Sequence, residues 1–190
     1  MIRKLVLTVI VLGVFVGLLS IMAAAIFTST ASVGSNAFTT GTVIIGTSPT
    51  SALVTFSNMA PGDQVTAPIT VSNTGTLDLR YAVTSTTTEN VLAGQLVLKI
   101  KTGVTTCSNA GFGVDGTAVY GPGVLGNTTP VNVIGDPAQG AQAGDRTLAA
   151  SGNEVLCFNA SLPLSTGNAF QGLTSTATFT FDGEQTTNNP

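Results

Sequence analysis

Between Val65 and Val83 the chain leaves little choice of backbone. Val65, Ala67, Ile69 and Val71 alternate with Thr66, Pro68, Thr70 and Ser72, and then Leu77, Leu79, Tyr81 and Val83 alternate with Asp78, Arg80, Ala82 and Thr84. A period of two over this length predicts half-buried strands with one wet face. Pro61-Gly62 opens the first run as a turn in which Pro presets φ and Gly takes the left-handed position. Asn73-Thr74-Gly75 separates the runs and predicts a three-residue hairpin with Gly75 at positive φ. Pro68 cannot donate to a ladder, which places its strand at an edge or a bulge.

Strand patterns recur along the rest of the chain, and helical periodicity is absent after residue 27. Val43 to Ile45 and Leu53 to Phe56 are short apolar runs; Leu96, Leu98 and Ile100 put Lys99 and Lys101 on the opposite face. Residues 103–152 are loop-rich, interrupted by Ala118 to Tyr120 and Val131 to Ile134. Strand character resumes at Val155 to Phe158 and at Thr174 to Phe181, where Ala177, Phe179 and Phe181 share a face. About eight strands and no helices predict an all-β antiparallel sandwich or jelly roll. Only 8% of residues are charged, so hydroxyls and amides carry the solvation.

The N-terminus follows different rules. Arg3 and Lys4 precede an uncharged apolar run, and Ala23, Ala24 and Ala25 follow it in the pattern of a secretory signal peptide with its cleavage region. The same run is long enough for an uncleaved anchor, and either way the remainder lies outside the cytoplasm. The expected division is a signal peptide at 1–25, an arm with the first strand at 26–46, and a β-sandwich at 47–190. Extended, Thr28 to Gly41 reaches about 46 Å, beyond the radius of such a domain, so an arm of this length can leave its own subunit.

Beyond Arg3 and Lys4, only Arg80, Lys99, Lys101 and Arg146 stand against nine acidic residues, which excludes a basic surface for nucleic acid. Cys107 and Cys157 are the two cysteines, and in an exported chain they predict one disulfide. The absence of histidine removes the usual catalytic triads and the commonest zinc ligands. Asp115, Asp136, Asp145 and Glu154 are scattered through loop-like sequence without a motif. They read as solvated carboxylates, with calcium as the cation they would suit. Asn127-Thr128-Thr129 and Asn159-Ala160-Ser161 match the glycosylation sequon, a pattern common by chance in a Thr-rich chain.

The phrases "AAIFTSTASVGSNAFTTGTVII", "VTFSNMAPGDQVTAPITVSNTGTLDLRY" and "TATFTFDGEQTTNN" follow the signal-like segment in an order that resembles the TasA/camelysin family of exported proteins. Phe27, Ala37 to Ile45 and Pro61 to Tyr81 occupy the family's recurring positions. The resemblance implies a jelly-roll subunit of extracellular biofilm-matrix or pilus-like fibres, assembled by donor-strand complementation with copies of itself. It makes Phe27, Val33, Phe38 and Val43 the assembly residues. Some members carry a metallopeptidase classification, which this histidine-free chain does not match. No cofactor is expected, and the partner is the chain itself, with other matrix components possible. The rival readings are a monomeric surface-adhesion module using the loops of 103–152, and an enzyme, either the family's peptidase or a carboxylate hydrolase.

Overall fold

The computed structural model describes residues 1–21, 37, 39–50 and 59–189. The chain divides into two compact units, Met1–Thr39 and Thr40–Pro190. The first holds helix α1 (Ile2–Ile21), in which the Thr8 hydroxyl donates to the Lys4 carbonyl at 2.9 Å. Among the described residues no helix is long and apolar enough to cross a membrane. Ala23, Ala24 and Ala25, the assembly candidates Phe27, Val33 and Phe38, and the apolar run Leu53 to Phe56 lie outside the described residues.

The second unit is built from β1 (Ile45–Ser48), β2 (Gln64–Asn73), β3 (Leu79–Thr87), β4 (Val97–Thr102), β5 (Thr117–Val124), β6 (Val131–Ile134), β7 (Arg146–Leu148), β8 (Asn153–Ser161) and β9 (Ala177–Gln185). The larger sheet has the order β1-β2-β8-β4-β5. In the smaller sheet β3 is central: β9 lies along its whole length on one side, and β6 and β7 share the other. The named strands pair antiparallel throughout, as the alternating sequence predicts for a sandwich. Ile69, Val71, Leu98, Ile100, Leu156 and Phe158 from the larger sheet meet Leu79, Tyr81, Val83 and Val133 from the smaller one. Period two puts these side chains on one face of each strand, and burying each apolar one contributes about 2 kcal/mol.

The hairpin expected at Asn73-Thr74-Gly75 is instead a corner. The strands on either side of it, β2 and β3, lie in opposite sheets, so the chain crosses the sandwich there. Asn73, 1% exposed, holds the corner. Its Nδ2 donates to the carbonyls of Leu77, Leu148 and Ala149 at 2.8, 3.3 and 3.1 Å, and its Oδ1 accepts the Gly75 N–H at 2.9 Å. Gly75 does not take positive φ. A Cβ on it would lie 2.3 Å from the Thr42 carbonyl oxygen, so the residue is small because the entering chain passes over it. The Asx turn and the hairpin use the same residue types, which is why the sequence did not separate them. Gly62 does adopt φ +96° in the Pro61-Gly62 turn, closed by Asp63 N–H to Ala60 O at 2.9 Å.

Candidate assembly edges and the contacts behind them

The polar side chains of the sandwich are mostly committed to holding it. Glu154 on β8 accepts the Tyr81 hydroxyl at 2.7 Å and the Arg146 guanidinium at 2.6 to 3.0 Å, joining the larger sheet to β3 and β7 of the smaller. Burial pushes the Tyr81 phenol far above its ordinary range, and hydrogen bonding to Glu154 raises Arg146. On the outer face of the smaller sheet, Arg80 pairs with Glu184 at 2.6 Å and also donates to the Asn189 carbonyl. Glu184 accepts the Gly140 N–H and the Asn189 amide as well, and its hydrogen bond from Arg80 holds it below the usual carboxylate range.

The loop carboxylates act in the same way. Asp145 accepts the N–H groups of Asp136 and Gln142, Asp136 that of Ala138, and Asp115 that of Thr105. Glu89 accepts three successive N–H groups, Val91 to Ala93. Among the described residues Asp182 alone of the carboxylates accepts no hydrogen bond, and no group of three or more His, Cys, Asp or Glu could hold a metal ion. Of the two sequons, Asn159 is 2% exposed, with its amide donating to Gln64 and Thr66, whereas Asn127 is exposed and bridges Thr86.

Cys107 and Cys157 form a disulfide, with Cα atoms 5.6 Å apart. Cys157 faces outward from β8, so the bond pins residues 103–116 against the outside of the larger sheet. It staples that excursion to β8. Phe112 is buried beneath it, the Lys101 Nζ stands 4.9 Å from the Phe112 ring centre, and the same ammonium donates to the carbonyls of Phe112 and Asp115. Neither Phe112 nor the Glu154 cluster was legible as a site, because the partners are far apart in sequence: Tyr81 and Glu154 are separated by 73 positions and Arg80 and Glu184 by 104.

What the fold leaves open is strand edge. β5 closes its side of the larger sheet irregularly: its pairing with β4 breaks twice, Gly121 takes φ +80°, and Pro122 lacks an N–H. On the opposite side β1 pairs β2 only over Thr70 to Asn73, and among the described residues nothing pairs with the outer edge of β2 at Gln64 to Ile69, where Pro68 lies. In the smaller sheet β9 runs in unbroken register with β3 from Ala177 to Gln185, without a proline. Among the described residues nothing pairs with its outer edge. Phe179 and Phe181 on its inner face are only half-buried, packed on Phe158 at 4.9 Å and Tyr81 at 6.3 Å between ring centres.

Val43 was expected in the arm; it packs half-buried against its own core. The segment around it is fixed at home: Thr42 O accepts the N–H groups of Thr76 and Leu77, and Ile44 O accepts that of Thr74. The expected boundary between 46 and 47 falls inside β1, and the compact unit begins at Thr40. Any arm that leaves the domain therefore ends at Thr39.

The family described as camelysin metallo-endopeptidase matches residues 1–96. Among curated proteins none matches the chain. Among solved structures the chain is similar to the ASH / PapD-like domain of human CEP192 (PapD-like domain 7). The identity is 14% and the TM-score 0.31, covering 84% of this chain and 96% of that one.

Proposed function

Because the chain belongs to the camelysin family, we propose that it is an exported structural subunit that self-assembles into extracellular fibres, the segment before Thr40 of one copy adding a strand to the next. The observation that carries this reading is the outer edge of β9, a nine-residue strand without proline that nothing among the described residues pairs with as a strand. A monomer normally blunts such an edge with proline, bulges or lysine, and a long unblunted one suits a partner that supplies backbone hydrogen bonds. The leader-like segment supports export.

The family's description carries a metallo-endopeptidase activity, and the donor set of this chain does not fit the zinc that it implies. There is no histidine, both cysteines are consumed in the disulfide, and the carboxylates other than Asp182 hold N–H groups or cations of their own fold. On this reading the carboxylates are fasteners rather than ligands or general acids.

The test is negative-stain electron microscopy of the exported protein over a range of concentrations, alongside a chain lacking residues 28–39. Regular filaments from the first and folded monomers from the second are expected. Particles that stay monomeric at every concentration, or filaments from the truncated chain, overturn the proposal.

A further inference from the structure

Resting on the fibre reading, we propose that the acceptor is the outer edge of β9, and that it receives the segment 28–39 of a second copy in preference to any other edge of that copy. The alternation of antiparallel hydrogen bonds identifies the groups involved. Thr88 N–H donates to Thr176 O at 3.0 Å and Thr186 N–H to Asp78 O at 3.2 Å, whereas Thr87 N–H turns the other way, to Asn127 O at 2.8 Å. The even-numbered residues of β9 therefore bond to β3. The N–H and C=O groups of Ala177, Phe179, Phe181, Gly183 and Gln185 face outward.

These groups belong to five residues along a nine-residue strand about 30 Å long, and of them the Gln185 carbonyl already accepts the Asn189 amide at 3.2 Å. Neither alternative edge offers the same. β5 is interrupted at Gly121-Pro122-Gly123, and the open part of β2 contains Pro68, which has no donor. A strand added beside β9 would also cover Phe179 and Phe181, which the sandwich leaves half-exposed on that side.

The occupant follows from charge and length. β9 carries Asp182 and Glu184 and no basic residue, so two β9 edges brought together place like charges close by, a destabilising arrangement. Residues 28–39 carry no charge, and at full extension they span about 40 Å, enough for all nine positions. In that segment Ala31, Val33 and Ala37 fall on one face at period two, which suits a strand lying over the half-buried Phe179 and Phe181, and Phe38 falls on the opposite face. The following residues, Thr42 to Ile44, are bonded to their own domain, so a donated arm remains tied to its own subunit.

Ala177→Pro removes an outward donor and places a ring where the partner strand would lie. It leaves the β3 ladder intact and stands at the first strand residue, where proline is tolerated. We expect this variant to keep the thermal midpoint of the monomer and to lose filaments, while Thr117→Pro on β5 keeps them. In parallel, hydrogen exchange of filaments against monomers of the unaltered protein should slow the amides of Phe179, Phe181 and Gly183 more than about tenfold. Filaments in which these amides stay fast while those of β2 or β5 slow overturn the acceptor assignment and leave the fibre reading standing. Slow amides already present in dilute monomer overturn it too, by placing the protein's own arm on β9. Failure of the unaltered protein to form any filament overturns both.

Discussion

The two sheets of the sandwich are held by different means. The larger one carries a covalent bond at its centre: Cys157 on β8 is tied to Cys107, and the excursion so pinned buries Phe112 over the outer face. Its β5 edge is closed by glycine, proline and broken register. The smaller sheet has no covalent tie; Arg80 with Glu184 fastens β3 to β9 within it, Arg146 with Glu154 fastens it to the larger sheet, and its β9 edge runs in unbroken register without proline. The difference teaches that rigidity and openness are divided between the layers. One layer is pinned by the disulfide, and the other presents the longer edge free of proline.

If the disulfide is what fixes the larger sheet, its loss should have the greatest effect. Replacing Cys107 and Cys157 by Ala opens a loop of 50 residues and should lower stability by about 4 kcal/mol in the chain-entropy model. Guanidinium unfolding checks this. A loss below about 1 kcal/mol would mean that Phe112 and Lys101 hold the excursion unaided, and the contrast between covalent and ionic layers would fail.

Next in size is the join between the layers. Glu154→Ala leaves Arg146 and Tyr81 without their common acceptor and should cost about 3 kcal/mol. A double-mutant cycle with Arg146→Ala should return a coupling of at least about 1 kcal/mol; additivity would show that the sheets are joined by apolar packing alone.

The sandwich was legible in sequence where burial has a period. The alternation of Val65 to Val71 and of Leu79 to Val83 gave two strands and their inward faces, and Ala177, Phe179 and Phe181 gave the face of β9. Sheet membership was not legible. The Asn73 corner and a hairpin share their turn residues, and only the reach of the Asn73 amide to Leu148 and Ala149, some 75 positions on, sends β3 to the opposite sheet. The three-residue β7 shows too little alternation to read. The likeness to the camelysin family was carried by motifs, but an open edge is a property of pairing, and pairing is set by contacts between distant residues. Val43 shows the converse. It sits in a phrase that resembles the family's arm, yet its neighbours are bonded to the corner of its own domain.

A smaller effect separates the two edges directly. Gly121 on β5 has φ +80°, and a Cβ there would lie 2.2 Å from the Leu98 carbonyl oxygen. Gly121→Ala should therefore cost about 2 kcal/mol. Gly183 on β9 is not at positive φ, and its added Cβ would meet only the Ile45 side chain at 3.3 Å, so Gly183→Ala should cost less than about 1 kcal/mol. Equal thermal shifts for the two variants would deny that β5 is the specially shaped edge.

The smallest effect expected is that of Glu184→Gln, because the pair with Arg80 lies at the surface of the smaller sheet and one side of it is partly exposed. Its loss should cost up to about 1 kcal/mol at neutral pH. The pH dependence gives the sharper reading. Arg80, then the Asn189 amide and Gly140 N–H, hold the folded Glu184 carboxyl below its ordinary value, so the folded state binds its proton less readily than the unfolded chain does. The stabilisation from this group is fully present above the unfolded value of about 4.3 and is lost as pH falls through the lower folded one. Gln carries no such proton, so the difference in thermal midpoint between the unaltered protein and Glu184→Gln should be constant from neutral pH to about 5 and shrink toward zero in more acid solution. A difference that stays constant across the whole range would mean that the Arg80 contact adds shape but no charge. The smaller sheet would then be held by packing, as the larger one is beneath its disulfide, and the ionic half of the contrast would be gone.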